Sequence, residues 1–379
     1  MSEPHNRPGL VGVPCVESSV SFLDGQRSRL EYRGIHVEIL ARESCYEETA
    51  WLLLRGELPT QRQLADFDDQ LRHKRRLKYR MIDLLKCLPE NAHPGEVLQA
   101  AVAALGVCDS LTNRFDSGLK GDAITGIIAR VPTLLAAYQR LRRGDEPLAP
   151  RDDLVHAGNF YWMLFEREPS PAQARVLDAC LILHTDPAMD VATFSARLTG
   201  STLSSPYAVV SAAIGALIGP AIGSTQESAL RMIQEIGSID QVPAWLNDDV
   251  ANEKKIVGFG HPVFNAKDPR VTVLQELAEN MFAESTRPAL YDLAVALEKE
   301  AGSLLGSKGI YPNLDYYSGI VCQSLGFPTD LLTPFLACAR VAGWMAHWLE
   351  QLQNHGPFCP EQVFVGKHDI AYVPLEQRP

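Results

Sequence analysis

The stretch KKIVGFGHPVFNAKDPR, residues 254–270, combines basic side chains, closely spaced glycines and one histidine. Lysine and arginine bind phosphate and carboxylate groups, and glycine lets a backbone approach a ligand closely. We therefore interpret this stretch as a candidate anion site in a loop between helices, with His261 as its polar centre. The alternative is a solvated loop in which the glycines only turn the chain, and composition alone does not separate the two.

Two further segments offer acid–base chemistry. In KGIYPNLDYYSG, residues 308–319, Asp315 follows a Pro-Asn turn and precedes an apolar helix. Taken alone, Asp315 is best explained as a residue that caps this helix or complements its dipole. His184 and Asp186 lie near a predicted helix end at Pro187, where a hydrogen-bonded structural histidine is the simplest interpretation.

A constrained turn interrupts the apolar run GALIGPAIGSTQESAL, residues 215–230. Glycines and a proline indicate close backbone approach at this point. The centre of the turn is Ile222, which cannot transfer a proton. The segment therefore has the form of a functional turn without an evident chemical group.

The composition limits the class of partner. The chain has 379 residues, of which 46% are hydrophobic and 21% charged, with a net charge of −11. These values are typical of a large globular protein, and the acidic balance predicts no nucleic-acid partner. No signal-peptide pattern is visible at the N-terminus, so we expect a cytoplasmic location. The apolar run 207–224 is broken by Pro220 and predicts a buried helix that ends at Gly219 and Pro220, not a membrane span.

The eight cysteines occur without a Cys-x-x-Cys pair. This spacing predicts buried thiols, and it supports neither a disulfide framework nor a zinc site. We therefore expect no bound metal.

Helical periodicity dominates the elements that must position these residues. Apolar residues recur at three- and four-residue spacing in the segments 46–56, 94–111, 121–141, 172–184 and 330–351. Residues 11–34 instead alternate apolar and polar types around Asp24 and Gly25, which predicts a β-hairpin. The predicted fold class is all-α with a short N-terminal β element.

Four ordered motifs resemble the citrate synthase family, including bacterial 2-methylcitrate synthases. They are the opening segment 9–41, GFGHPVFNAKDPR at 258–270, YPNLDYYSGIVCQSLGFP at 311–328 and ARVAGWMAHWLEQ at 339–351. The resemblance implies the all-α citrate-synthase fold and an obligate homodimer. It also implies a large domain, formed by residues 1–223 and 321–379, and a small domain, residues 224–320, that closes over the ligands.

The resemblance also assigns roles to residues. It implies that Asp315 removes a proton from the acyl carbon of a coenzyme A thioester and that His261 polarises the keto group of an acceptor. Arg270 and Arg340 would hold acceptor carboxylates, and His184 would also contact the acceptor. Coenzyme A would enter as a co-substrate, with no permanently bound cofactor, near Lys254, Lys255, Gly258, Gly260, Lys308 and Asn313.

Three positions depart from the family pattern. Ile222 stands where the family has the histidine that stabilises the enol, and Pro187 replaces a second acceptor-binding histidine. Cys359 stands where an arginine usually enters the partner subunit's site, and Glu361 lies beside it. Since the lost arginine would hold a carboxylate and Glu361 adds a negative charge, we expect condensation of an acyl-CoA with a keto acceptor other than oxaloacetate. The alternative is a catalytically silent homologue that binds coenzyme A or another small anion, or that associates with an active relative.

Overall fold

The computed structural model describes residues 7–10, 12–109, 117–221, 225–251, 256–261, 263–264, 266–353 and 356–379. Within these ranges helices dominate, and the strands form one antiparallel sheet in the order β1-β2-β3. The strands are β1 (Ser21–Asp24), β2 (Arg29–Tyr32) and β3 (Ile35–His36). Asp24 pairs with Arg29 in the register of β1 and β2, so the predicted hairpin is confirmed.

The helices cover most of the described chain. In chain order they are α1 (Val37–Glu43), α2 (Tyr46–Arg55), α3 (Gln61–Lys74), α4 (Tyr79–Lys86), α5 (Pro94–Cys108), α6 (Ser117–Leu141), α7 (His156–Phe165), α8 (Pro171–His184), α9 (Val191–Ser201), α10 (Pro206–Leu217), α11 (Thr225–Ile236), α12 (Val242–Ala251), α13 (Pro269–Ala283), α14 (Ala289–Leu305), α15 (Leu314–Ser324) and α16 (Leu332–Gln353). The all-α prediction is confirmed, and a helix occupies each of the five segments predicted from periodicity.

Helix α16 forms the centre of one packed group. It lies against α2, α6, α8, α9 and α10, and nearly all of its residues are buried. A helix that is apolar around its whole circumference is expected inside a core rather than at its surface. Trp344, with 1% of its surface exposed, is one of the largest side chains in this core.

A second group of helices packs beside the first. In this group α15 contacts α11, α13 and α14, and α11 also contacts α14. Helix α13 further contacts α1 and, in the first group, α8. The two groups also meet where His184, at the C-terminal end of α8, lies 3.8 Å from Asp315 in the first turn of α15.

Local sequence determines where the helices near this junction begin. Asp190 accepts a hydrogen bond from the backbone of Thr193 and caps α9, and Asp268 caps α13 in the same way. Asn313 caps α15 by accepting from the backbone N–H of Tyr316. The interpretation of Asp315 as the cap is therefore wrong, because Asn313 fills that position and leaves the Asp315 carboxylate in the first helical turn.

Two other predictions need correction in detail. Burial is confirmed for Cys180, Cys322 and Cys338, but the other cysteines are partly or fully exposed, and all eight are free thiols. The helix predicted to end at Gly219 and Pro220 ends at Leu217, since Ile218 already forms its C-cap. Among the described residues, no helix is both long and apolar enough to cross a membrane.

Candidate active site

The loop that carries His261 is joined to the start of α15 by backbone pairing. Gly260 N donates to Tyr311 O at 2.8 Å, Asn313 N donates to Gly258 O at 2.8 Å, and Phe259 and Pro312 form an antiparallel bridge. The Asn313 amide adds a bond to Gly260 O at 3.0 Å. Two segments far apart in sequence thus form a single structural unit.

Both glycines of this loop are required by its backbone. Gly258 and Gly260 each have φ of +81°, a left-handed conformation that side chains disfavour. At Gly258 a Cβ would also lie 3.0 Å from the Cβ of Tyr316. The N–H of Gly260 is already bonded to Tyr311, so this glycine shapes the loop rather than offering its N–H to an anion.

The protonation of His261 follows from its contacts. Its Nδ1 accepts hydrogen bonds from Val263 N at 3.1 Å and from Phe264 N at 3.2 Å. Because backbone N–H groups only donate, Nδ1 carries the lone pair and Nε2 carries the proton of the neutral ring. Burial and the nearby charge of Arg270 lower the pKa of His261 to about 4. The ring is therefore a neutral hydrogen-bond donor at physiological pH.

Asp315 lies near His184 and is influenced by the charges of two arginines. About a third of its side chain is exposed (33%), and its Oδ1 is 3.8 Å from His184 Nε2. Burial alone would raise the pKa of Asp315, but His184 and the charges of Arg340 and Arg270 hold this pKa below its usual value. The carboxylate is thus ionised and able to accept a proton.

His184 connects Asp315 to a buried amide that the sequence analysis did not assign. His184 Nδ1 donates to Cys180 O at 2.8 Å, so Nε2 bears the lone pair in the neutral ring. The Gln226 amide lies 3.3 Å from that Nε2 and donates to Ser318 Oγ at 2.6 Å. Nε2 can therefore accept from Gln226 or, when the ring is charged, donate towards Asp315. The signal that could have revealed Gln226 is an amide in the first turn of a helix that directly follows the constrained turn.

Each predicted carboxylate-binding arginine already has a carboxylate partner within the chain. Arg270 donates from Nε to Asp268 Oδ1 at 3.0 Å and from Nη2 to Oδ2 at 2.7 Å, and both side chains are buried. Arg340 makes a close ion pair with Asp190. The sequence analysis missed both acids, because an acid that caps a helix gives no local sign of its arginine.

The turn between α8 and α9 is fixed by a buried network. Asp186 Oδ2 accepts from His347 Nε2 at 3.0 Å, and Arg197 donates to His347 Nδ1 at 2.8 Å and to Glu350 at 2.7 Å. Tyr32 donates to Ile182 O and accepts from Asp186 N, each at 3.1 Å. Strand β2, α9 and α16 therefore all hold the turn that contains Pro187.

The remaining candidates lie apart from this cluster or outside the described residues. Ile222, Lys254 and Lys255 belong to the ranges that the structure does not describe. Lys308 is exposed in the segment after α14. Cys359 is also exposed, next to Phe358, which packs edge-on against Phe194 at the start of α9. Across the described ranges, no group of His, Cys, Asp and Glu side chains could hold a metal ion.

Comparisons with known proteins find a single family. Residues 9–360 match the family described as citrate synthase, C-terminal domain. A citrate synthase from Synechocystis sp. is 46% identical over 372 residues, which are 98% of this chain and 94% of that protein. The crystal structure of citrate synthase from Pyrobaculum aerophilum has a TM-score of 0.91 and 38% identity, covering 98% of this chain and 95% of that one.

A third relative was solved with ligands. It is the citrate synthase of Thermoplasma acidophilum, in a ternary complex with carboxymethyl coenzyme A and oxaloacetate. Its TM-score is 0.90 at 31% identity, and the match covers 97% of this chain and 98% of that one. The similarity therefore extends over nearly the full length of both chains.

Proposed function

Because this chain belongs to the citrate synthase family and is an enzyme of that type, we propose that it condenses an acyl-CoA with a keto acceptor other than oxaloacetate. The observation that carries the proposal is the pairing of an ionised Asp315 with a neutral, donating His261 on one backbone unit. Proton removal and carbonyl polarisation need those two protonation states at the same time.

In the proposed reaction, the Asp315 carboxylate takes a proton from the α-carbon of the thioester. The resulting electron pair forms a carbon–carbon bond to the carbonyl carbon of the acceptor. His261 Nε2–H donates a hydrogen bond to the carbonyl oxygen as that oxygen becomes an alkoxide, and the proton taken by Asp315 is returned to this oxygen in the product. Water then hydrolyses the thioester, which releases the acid product and the coenzyme A thiol. The charges of Arg270 and Arg340 lower the pKa of Asp315, which supports a position for both arginines near the acceptor.

The choice of acceptor rests on the substituted positions. Pro187 has no side-chain donor, Ile222 is apolar, and Cys359 cannot supply the charge of an arginine. A dianion would leave one carboxylate without a cation, and burying an unpaired charge is strongly unfavourable. An acceptor with one carboxylate or none fits these residues better.

We also propose the larger assembly on the basis of the family. Residues 1–223 and 321–379 would form a large domain, and residues 224–320 would close over the ligands. Coenzyme A would lie near Gly258, Gly260 and Asn313, with Lys254, Lys255 and Lys308 supplying positive charge. The working form would be a cytoplasmic homodimer with small-molecule substrates.

Proton exchange at the acyl carbon tests the role of Asp315 without knowledge of the acceptor. Acetyl-, propionyl- and longer acyl-CoAs are incubated with the enzyme in heavy water, and deuterium uptake is followed by mass spectrometry. Keto acids and carboxylic acids are added in parallel, because ligand-driven closure often assembles a site. We expect uptake that disappears in Asp315→Asn and persists in Asp292→Asn, a change of an acid that pairs with Arg287.

Two outcomes would contradict the proposal. If no acyl-CoA exchanges under any condition while calorimetry shows binding, the chain is a silent coenzyme A-binding homologue. If acetyl-CoA and oxaloacetate give thiol release at about 1 s⁻¹ or faster, within the usual enzyme range, the acceptor assignment is wrong.

A further inference from the structure

The ion pair between Arg340 and Asp190 places a carboxylate of the chain itself at the candidate acceptor site. We propose that Asp190 is a specificity-determining residue, which occupies Arg340 and thereby selects acceptors with one carboxylate or none. This inference rests on the proposed condensation function, and it names the group that excludes a second carboxylate.

Asp190 has two simultaneous contacts. Its Oδ1 accepts from Thr193 N at 2.8 Å and caps α9, while its Oδ2 faces Arg340 Nη1. Only 22% of the Asp190 side chain and 12% of the Arg340 side chain are exposed, so solvent screens the pair weakly. Arg340 Nε is buried and has no hydrogen-bond partner among the described residues. Nη1 of Arg340 is thus paired with Asp190, and Nε has no partner among the described residues.

The turn that carries Asp190 gives it little freedom to move away. Asp190 N donates to Ala188 O at 3.0 Å, and Ala188 N donates to Asp186 Oδ1 at 3.0 Å. Ala188 has φ of +67°, and Asp186 is held by His347 in α16. Because Arg340 is also in α16, the acid and the arginine are fixed to the same helix by separate contacts.

The charges around Asp315 explain why an acceptor with two carboxylates would be excluded. Arg270 is paired with the buried Asp268, and Arg340 is paired with Asp190. Both arginines thus already have a carboxylate partner, and Asp315 adds a further negative charge. A second acceptor carboxylate would have to displace Asp190 from Arg340 or face it directly, and like charges in a partly buried site oppose binding.

The test compares a dicarboxylate with a monocarboxylate. Asp190→Asn removes the charge and keeps a side chain that caps helices as well as aspartate does. Calorimetry then measures the Kd of oxaloacetate and of pyruvate for the wild type, for Asp190→Asn and for Glu146→Gln. The last variant removes one charge from an exposed pair with Lys86 in a segment that contributes no residue to the site. If Asp190→Asn unfolds at a lower temperature than the wild type, Asp190→Ser replaces it, because serine also caps helices.

We expect Asp190→Asn to bind oxaloacetate at least tenfold more tightly, with less than a threefold change for pyruvate and no change in Glu146→Gln. An unchanged ratio of the two Kd values, or no binding of oxaloacetate by any folded variant, would overturn the role of Asp190. Deuterium exchange at the acyl carbon is measured on the same variants. Exchange in the wild type with an unchanged ratio contradicts only the role of Asp190, whereas no exchange in any variant contradicts the condensation function.

Discussion

Replacing Gly25 by alanine should impair the enzyme through the loop that carries His261. Gly25 lies in the turn after β1, is buried, and does not have a positive φ, so alanine fits its backbone. A Cβ at this position would lie 1.8 Å from the carbonyl oxygen of Val263 and 2.4 Å from its carbonyl carbon. Since Cβ atoms essentially never approach within 3.0 Å, the carbonyl must move by about 1.2 Å.

That movement would act directly on His261. The Val263 carbonyl belongs to the same peptide group as the N–H of Phe264, which is one of two donors to His261 Nδ1, so a displaced peptide rotates or tilts the ring. A misplacement of about 1 Å near a reacting group can cost on the order of 10²-fold in rate. We therefore expect kcat/KM to fall roughly 10²-fold, which corresponds to about 2.7 kcal/mol of transition-state stabilisation.

The assay is thiol release from an acyl-CoA with the keto acid that supports turnover, together with calorimetric binding of that acid. Gly302→Ala is the matched control, because Gly302 lies within α14 and a Cβ there meets nothing within 4 Å. Thermal unfolding of both variants separates a local change from loss of fold. If Gly25→Ala keeps kcat/KM within threefold of the wild type, the hairpin does not support the loop in the working enzyme.

Four further predictions concern protonation and stability. Because the pKa of His261 is about 4 and that of Asp315 is below its usual value, the rate of deuterium exchange should be constant from about pH 5 to 8. A rate that falls with decreasing pH near pH 6 would contradict these assignments. The pKa of His261 in the folded protein lies below the ~6.5 of an unfolded histidine, so the contribution of this residue to stability is full above about pH 6.5 and is lost towards pH 4. His261→Gln should therefore reduce the change with pH, over that range, in the free energy of unfolding measured with urea. Gln226→Leu should lower the free energy of unfolding by about 1–3 kcal/mol, because it leaves the buried Ser318 hydroxyl without its donor, and a urea midpoint equal to that of the wild type would refute this. Burial would raise the pKa of Glu350, but the Ser19 N–H and Arg197 lower this pKa to about 2. The contribution of Glu350 to stability is therefore present above about pH 4.5 and lost towards pH 2, and Glu350→Gln should reduce that loss in acid unfolding curves.

The sequence predicts the helices well because their information is local. Apolar residues at helical spacing mark α2, α5, α8 and α16, and a short alternating stretch marks the hairpin. Helix ends are less accurate, since they depend on caps. Asn313 and Asp315 are two residues apart, and both are acceptable near a helix N-terminus, so the sequence alone does not decide which one caps α15.

The side-chain partners of the site are the part that sequence reasoning misses. Asp190 and Arg340 are 150 residues apart, and Asp190 has the normal appearance of a cap. Gln226 and Ser318 are 92 residues apart, and neither has a sequence context that indicates a partner. Such pairs are created when α9 packs on α16 and α11 packs on α15, which helical periodicity along one segment does not encode.

The backbone pairing of residues 258–260 with 311–313 has a consequence for the order of events in a catalytic cycle. His261, proposed to polarise the acceptor, and Asp315, proposed to deprotonate the donor, follow directly after these paired segments, so neither residue can shift alone. A keto acid that draws His261 towards its carbonyl must carry the start of α15, and with it Asp315, in the same displacement. Linkage is reciprocal for binding, so an acyl-CoA that settles against Asp315 also changes the affinity for the acceptor. Each substrate would then change the affinity of the enzyme for the other through main-chain hydrogen bonds, before the two substrates are in contact.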